Sequence, residues 1–262
     1  MKLFIVAIDE PIYLNRYVRR LIERFDGEVV GVAKLTVRRR RRTLPATAAL
    51  ALLALVVFSP RDLMRLIGLK LRELAAGVLP VPTRHTLADI CRELRIPFTT
   101  IATANAPEFV ATIERQGVDV VLNQTPEILR SDILRAPRRC VINRHMAWLP
   151  SYRGAWPVFW QFVNGEQRLG LTIHKVDERI DTGPIILREA IARLPDDTVA
   201  AAYRRLFERS VELTCDALRR VELDMPTMPN EGPDASCYAT PHAGDVARFM
   251  LGRRGSPLRR IA

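Results

Sequence analysis

The opening of the chain restricts its fold more than any other feature. Leu3 to Ile8 form an unbroken apolar run of strand length. Asp9 can cap a following helix and Pro11 suits its first turn. Tyr13, Leu14, Tyr17, Val18, Leu21, Ile22 and Phe25 then recur at helical spacing, and Gly27 ends the run before a second strand over Glu28 to Ala33. Strand, helix and strand in this order make a βαβ unit, which points to a parallel sheet. No Gly-x-Gly-x-x-Gly follows the first strand, so the expected sheet is Rossmann-type without the dinucleotide fingerprint.

The alternation continues along the chain. Helices are expected near Leu87 to Leu94, Pro107 to Arg115 and Pro126 to Leu134, with strands at Phe98 to Ile101, Val118 to Leu122 and Cys140 to Asn143. Two more strands, Leu171 to Val176 and Pro184 to Glu189, precede a long helix capped by Asp197 or Thr198 and running to about Val221. The expected class is α/β, a three-layer, mostly parallel twisted sheet with helices on both faces. The expected division is a catalytic domain over 1–222, followed by a tail over 223–262 that packs on it or extends from it.

Residues 34–80 interrupt this pattern. Five arginines at 38–42 precede an eleven-residue apolar stretch, Ala48 to Phe58, too short to span a bilayer, which takes about 20 residues. Leu63, Leu66, Ile67, Leu71 and Leu74 then share a helical face, with Arg61, Arg65, Lys70 and Arg72 supplying charge. Such a segment, 38–76, can lie on an anionic membrane surface as a peripheral contact. The plainer reading is a buried helix followed by a surface helix packed on the sheet.

The net charge of +11 invites a nucleic-acid reading, so its location matters. Ten arginines lie in 38–42 and 248–262; without them, 30 basic residues face 29 acidic ones. The body is nearly neutral, and no nucleic-acid groove is expected. Cys91, Cys140, Cys215 and Cys237 are far apart, with no Cys-x-x-Cys pair and no histidine at ligand spacing, so neither metal nor disulfide framework is expected. The start, MKLFIVAIDEP, has too short an apolar run for a signal-peptide core. A cytoplasmic location is expected, peripheral to the inner face of the membrane if 38–76 makes the contact above.

The chemistry concentrates in residues 142–191. Asn143 and His145, two apart at a strand end, share a face that opens into the crevice of a parallel sheet. Asp181 lies in a turn-like Asp-Thr-Gly-Pro after a strand that carries His174. An amide, an imidazole and a carboxylate can converge there as a donor, a proton carrier and a group that orients and charges it.

This stretch is similar to the folate-dependent formyltransferases, the family of the glycinamide ribonucleotide, methionyl-tRNA and amino-sugar enzymes. The shared pattern is Asn-x-His, a Leu-Pro-x-x-Arg-Gly turn and a later Asp-x-Gly, matched at Asn143, His145, Leu149, Pro150, Arg153, Gly154, Asp181 and Gly183. Asn164-Gly165-Glu166, Gly170, Thr172 and His174 fit the connecting pattern. IDEPIYLNRYV and CYATPHAGDVARF look like parts of bacterial surface-sugar members, so the resemblance covers most of the chain outside roughly 34–80.

The resemblance implies transfer of a formyl group from 10-formyltetrahydrofolate, without a metal, to a small-molecule amine, an amino sugar carried on a nucleotide or lipid in envelope polysaccharide or glycoconjugate synthesis. It implies catalytic roles for Asn143, His145 and Asp181. Asn143 and a protonated His145 would stabilise the tetrahedral oxyanion, Asp181 would hold His145 cationic or order a water, and His174 would support Asp181. Leu149, Pro150, Arg153 and Gly154 would contact the folate, although Arg153 and Gly154 also suit a purely structural turn. Where most members have Pro-Ser-Leu after the histidine, this chain has Met146-Ala147-Trp148, which alters the pocket. Other readings stay open: a methionyl-tRNA formyltransferase lacking the usual C-terminal domain, a 10-formyltetrahydrofolate hydrolase, or an inactive binding relative. A homodimer is also open.

Overall fold

The computed structural model describes residues 1–25, 27–36, 44–76 and 86–252. The opening unit is β1 (Leu3–Ala7), α1 (Leu14–Arg24) and β2 (Val29–Leu35), followed by α2 (Leu44–Val57), α3 (Pro60–Ala76) and α4 (Leu87–Glu93). Next come β3 (Phe98–Ile101), α5 (Pro107–Gln116), β4 (Val120–Gln124), α6 (Ser131–Arg135) and β5 (Cys140–His145). The second half holds β6 (Arg153–Gly154), α7 (Pro157–Val163), β7 (Arg168–Lys175) and β8 (Ile185–Ala192). It ends with α8 (Val199–Glu222), β9 (Cys237–Tyr238) and α9 (Ala243–Met250).

Seven strands form one sheet in the order β3-β2-β1-β4-β5-β7-β8, and β3 to β5 in that order are parallel. The β7–β8 hairpin joins antiparallel, with Asn143 beside His174 and His145 beside Thr172. Alternation along the parallel strands feeds two cores. Ile5, Leu122 and Ile142 pack with α1, α2, α4, α7 and α8, whereas Val6, Val121 and Val141 pack with Phe109 and Ile113 of α5 and Ile133 of α6. The three-layer α/β class expected from the sequence is the class observed.

Local differences have local causes. Residues 11–13 form a turn and α1 starts only at Leu14, so Glu10 rather than Asp9 receives the N–H groups of Ile12, Tyr13 and Leu14 at 2.8–2.9 Å. Asp9 instead accepts from Asn15 Nδ2 at 2.7 Å. The helix expected over 126–134 shrinks to α6. Glu127 accepts from the Ala104 N–H, and Arg130 N–H donates to Asn105, which ties this backbone to a neighbouring loop.

The segment after β2 divides in two. Leu53 and Val57 of α2 are fully buried, and Phe58 stacks on Tyr13, itself stacked on Phe207 of α8. On α3, Met64, Ile67 and Leu71 are exposed, contrary to the expectation that Ile67 and Leu71 share a face packed on the sheet. The arginines at 38–42 lie outside the described residues. Among those described, no helix is long and apolar enough to cross a membrane. After α8, β9 pairs in parallel with β6, and α9 packs against α2.

Candidate active site

The site is built at the carboxyl end of β5. Period-two alternation puts Asn143 and His145 on one face, and the antiparallel β7 brings His174 alongside. The loop between β7 and β8 returns Asp181 to the same place. Its Oδ2 lies 3.4 Å from His145 Nδ1, and its Oδ1 lies 3.4 Å from Asn143 Nδ2 and 3.5 Å from His174 Nε2. The three residues expected to be catalytic, and the expected supporting histidine, converge on one carboxylate.

That carboxylate is held from several sides. Asp181 has a positive φ of 51° and accepts the Gly154 N–H at 2.8 Å. Asn230, 3% exposed, donates to the carbonyls of Asp181 (2.9 Å) and Gly183 (2.8 Å). Two glycines are sterically required. Gly154 has φ 91°, and a Cβ there would sit 2.4 Å from the Tyr238 carbonyl; at Gly183 a Cβ would sit 1.9 Å from the Lys175 carbonyl.

Hydrogen bonding sets the protonation pattern. The Tyr152 carbonyl can only accept, so the 2.7 Å contact to His145 Nε2 places a proton on that nitrogen. A neutral His145 then turns the Nδ1 lone pair toward Asp181. Burial pushes the imidazole below its ordinary pKa, and the pull of Asp181 and the Tyr152 carbonyl does not overcome it. Burial alone would raise the Asp181 carboxyl, but the His145 and His174 rings and the Gly154 N–H outweigh it and hold the group well below the usual carboxylate range. In the free chain burial is the largest influence on the His145 pKa and lowers it, with Asp181 pulling the other way. Nδ1, 3.4 Å from Asp181 Oδ2, is a candidate proton acceptor.

The turn residues expected to contact folate brace this cluster. Leu149 has no exposed surface and precedes a cis Pro150. Arg153 donates to the Asn230 carbonyl, and Gly154 holds Asp181. Met146 and Ala147 are buried, while Trp148 is 42% exposed, with the Arg188 guanidinium 4.2 Å from its ring centre. Trp148, Tyr152, Glu166 and Arg168 help line a cavity of about 390 Å³, within which the Tyr152 hydroxyl donates to Glu166 at 2.6 Å. Two cavities of about 500 Å³ lie elsewhere, and none of the three is lined by Asn143, His145 or Asp181. Sequence reasoning missed Asn230, Tyr152, Gln124 and Arg144. Only Arg144 carried a signal, as a cation between Asn143 and His145 of the motif. Among the described residues no His, Cys, Asp and Glu group is arranged to hold a metal.

The family model described as "Formyl transferase" matches residues 67–218. The chain belongs to this family. Methionyl-tRNA formyltransferase of Geobacter metallireducens is 32% identical over 151 residues, 57% of this chain and 49% of that protein. The chain thus spans about half the length of the curated relatives it matches. Phosphoribosylglycinamide formyltransferase of Streptococcus pneumoniae superposes with a TM-score of 0.57 at 18% identity, covering 84% of this chain and 98% of that one. An N-formyltransferase of Helicobacter canadensis, in complex with folinic acid and dTDP-3-aminofucose, gives 0.55 at 14% identity, covering 91% and 71%. At these identities the superpositions speak for the fold.

Proposed function

We propose that the chain transfers the formyl group of 10-formyltetrahydrofolate to the primary amine of an amino sugar carried on a nucleotide or lipid. The observation that carries this reading is the convergence of Asn143, His145 and Asp181 within 3.4 Å contacts at the crevice end of β5, in a chain of the formyl transferase family. The folate supplies an activated formyl carbon; the chain supplies the groups around it. Asn143 Nδ2 donates to the oxygen that becomes negative as the amine attacks. His145 Nδ1 takes the proton the amine loses, Asp181 stabilises the imidazolium, and the proton returns to the folate nitrogen as its bond to the formyl carbon breaks. His174 steadies Asp181.

Residues fit for holding the folate lie around the cluster: the 149–154 turn through its backbone, and Trp148 as an exposed ring. The amino-sugar clause is supported by the Arg153-to-Glu166 pattern and by the C-terminal similarity. Exposed Met64, Ile67 and Leu71 beside Arg61 and Arg65 support a seat on an anionic membrane where a lipid-carried acceptor would be presented. The curated relatives favour a second reading, with methionyl-tRNA as acceptor.

The test is release of tetrahydrofolate with nucleotide-linked amino sugars or methionyl-tRNA, using His145→Ala as the blank. Sugar-dependent release missing from the blank supports the first reading. Release only with the tRNA, falling steeply with salt, replaces it by the second. Release without any amine replaces transfer by hydrolysis.

A further inference from the structure

We propose that Gln124 and Arg144 are positioning residues that fix which way the Asn143 amide faces, so that its NH2 rather than its oxygen meets the formyl oxygen. The proposal rests on the formyl-transfer reading for its catalytic consequence, while the orientation itself is a property of the chain.

Arg144 lies between Asn143 and His145 but points to the opposite face of the sheet, toward α1 and α8. Its guanidinium carbon sits 4.6 Å from the Tyr17 ring centre and 4.1 Å from that of Phe207. Among the described residues no carboxylate lies within ion-pair distance, and Nη1 is buried without a partner. Burial pushes its pKa down to about 10, which still leaves a cation at neutral pH. An unpaired cation held between two rings is costly, and its one polar side-chain contact accounts for its place.

That contact starts a chain of forced orientations. A guanidinium has no acceptor, so Arg144 Nε donating at 2.9 Å fixes oxygen as the Gln124 atom that faces it. The Gln124 NH2 must then point away, where it donates to the Asn123 carbonyl at 2.7 Å and to Asn143 Oδ1 at 2.9 Å. With its oxygen occupied, Asn143 presents Nδ2 toward Asp181 and the crevice. Turned over, Asn143 would set NH2 against NH2 at Gln124 and oxygen against the Asp181 carboxylate. Arg144 thus acts across the carboxyl ends of β4 and β5, from one face of the sheet to the other, without touching substrate.

Gln124→Glu tests this with little change in shape. The introduced carboxylate still accepts from Arg144 but offers Asn143 only an acceptor, at the 2.9 Å contact rather than the longer 3.4 Å contact to Asp181, so the amide NH2 turns to residue 124 and its oxygen faces the crevice. The expected result is a kcat lower by about 10²–10³-fold, with the folate KM within about threefold. In an Asn143→Ala background the same substitution should cost nothing further, because the residue acts through Asn143. Arg144→Lys, still a pure donor, should keep more activity than Arg144→Met. Without any turnover, nuclear Overhauser contacts of the Asn143 NH2 in the free protein should move from the His145 and His174 rings to residue 124 in the variant. An unmoved amide overturns the proposal, as does a parental kcat in Gln124→Glu or an equal loss in the Asn143→Ala background. If the parent is silent with every amine, the formyl-transfer reading fails alone, and the amide contacts still decide the orientation.

Discussion

The end of β5 and the α2–α3 pair are both departures from a plain βα sheet, and they are held in opposite ways. At β5 the candidate catalytic groups are fixed by partners from other elements: Asp181 by Gly154, its loop by Asn230, Asn143 by Gln124, and His145 by the Tyr152 carbonyl. On α2 and α3 the anchor is apolar burial at Leu53 and Val57, plus polar ties at Val57 and Asp62, both of which accept from the Tyr13 hydroxyl. There Asp62 accepts from Ser59 Oγ at 2.6 Å and pairs with Arg204 at 3.5 Å. Along α3, Met64, Ile67 and Leu71 are exposed. Directional bonds fix angles, which chemistry at a carbonyl carbon needs; burial fixes only position. The contrast fits the proposed catalytic role of the first region and a stabilising or contact role for the second.

Four results bear on that division. The largest effect is expected from His145→Ala, which should lower turnover by about 10³-fold while far-UV circular dichroism is unchanged. A near-parental rate would remove His145 from the mechanism. Leu53→Ala in α2 should cost about 3 kcal/mol in urea unfolding and leave kcat per folded molecule untouched. A neutral effect would deny α2 its place in the core.

The third concerns pH. His145 must be neutral to accept a proton, and its pKa lies below the ordinary value, so kcat/KM should fall only on the acid side, below about pH 6.5, and plateau above. Asp181 raises that pKa, so Asp181→Asn should move the acid limb to still lower pH as well as slowing the reaction. A limb that moves upward would show that the imidazolium is the form in use. The smallest is Met64→Gln on α3, expected to change stability by no more than about 0.5 kcal/mol. Binding to anionic vesicles that survives Met64→Gln, Ile67→Gln and Leu71→Gln together would remove the membrane clause.

Much of the fold was legible because its signals are local. The βαβ opening, β3 and α5 and the long α8 each carry their own periodicity, and Thr198 caps α8 by accepting the Ala201 N–H at 3.1 Å. Where the expectations slipped, partners distant in sequence decided. The 126–130 backbone bonds to the Asn105 side chain instead of coiling, and Glu10 replaces Asp9 because a turn over residues 11–13 delays the start of α1 to Leu14. The site was legible as residue types at motif spacing, in Asn143, His145 and Asp181. Its supports were not: Asn230 lies 49 residues from Asp181, and Gln124 lies 19 from Asn143. The burial that lowers the His145 pKa is likewise invisible in a motif.

Everything above turns on whether the β5 cluster moves a formyl group from folate to an amine. An isotopically labelled formyl carbon, followed from 10-formyltetrahydrofolate in the presence of amino-sugar acceptors, decides it. Label is expected on the acceptor amine with the parent chain and none with Asn143→Ala or His145→Ala. Label recovered as formate, or equal transfer by the variants, would contradict that role.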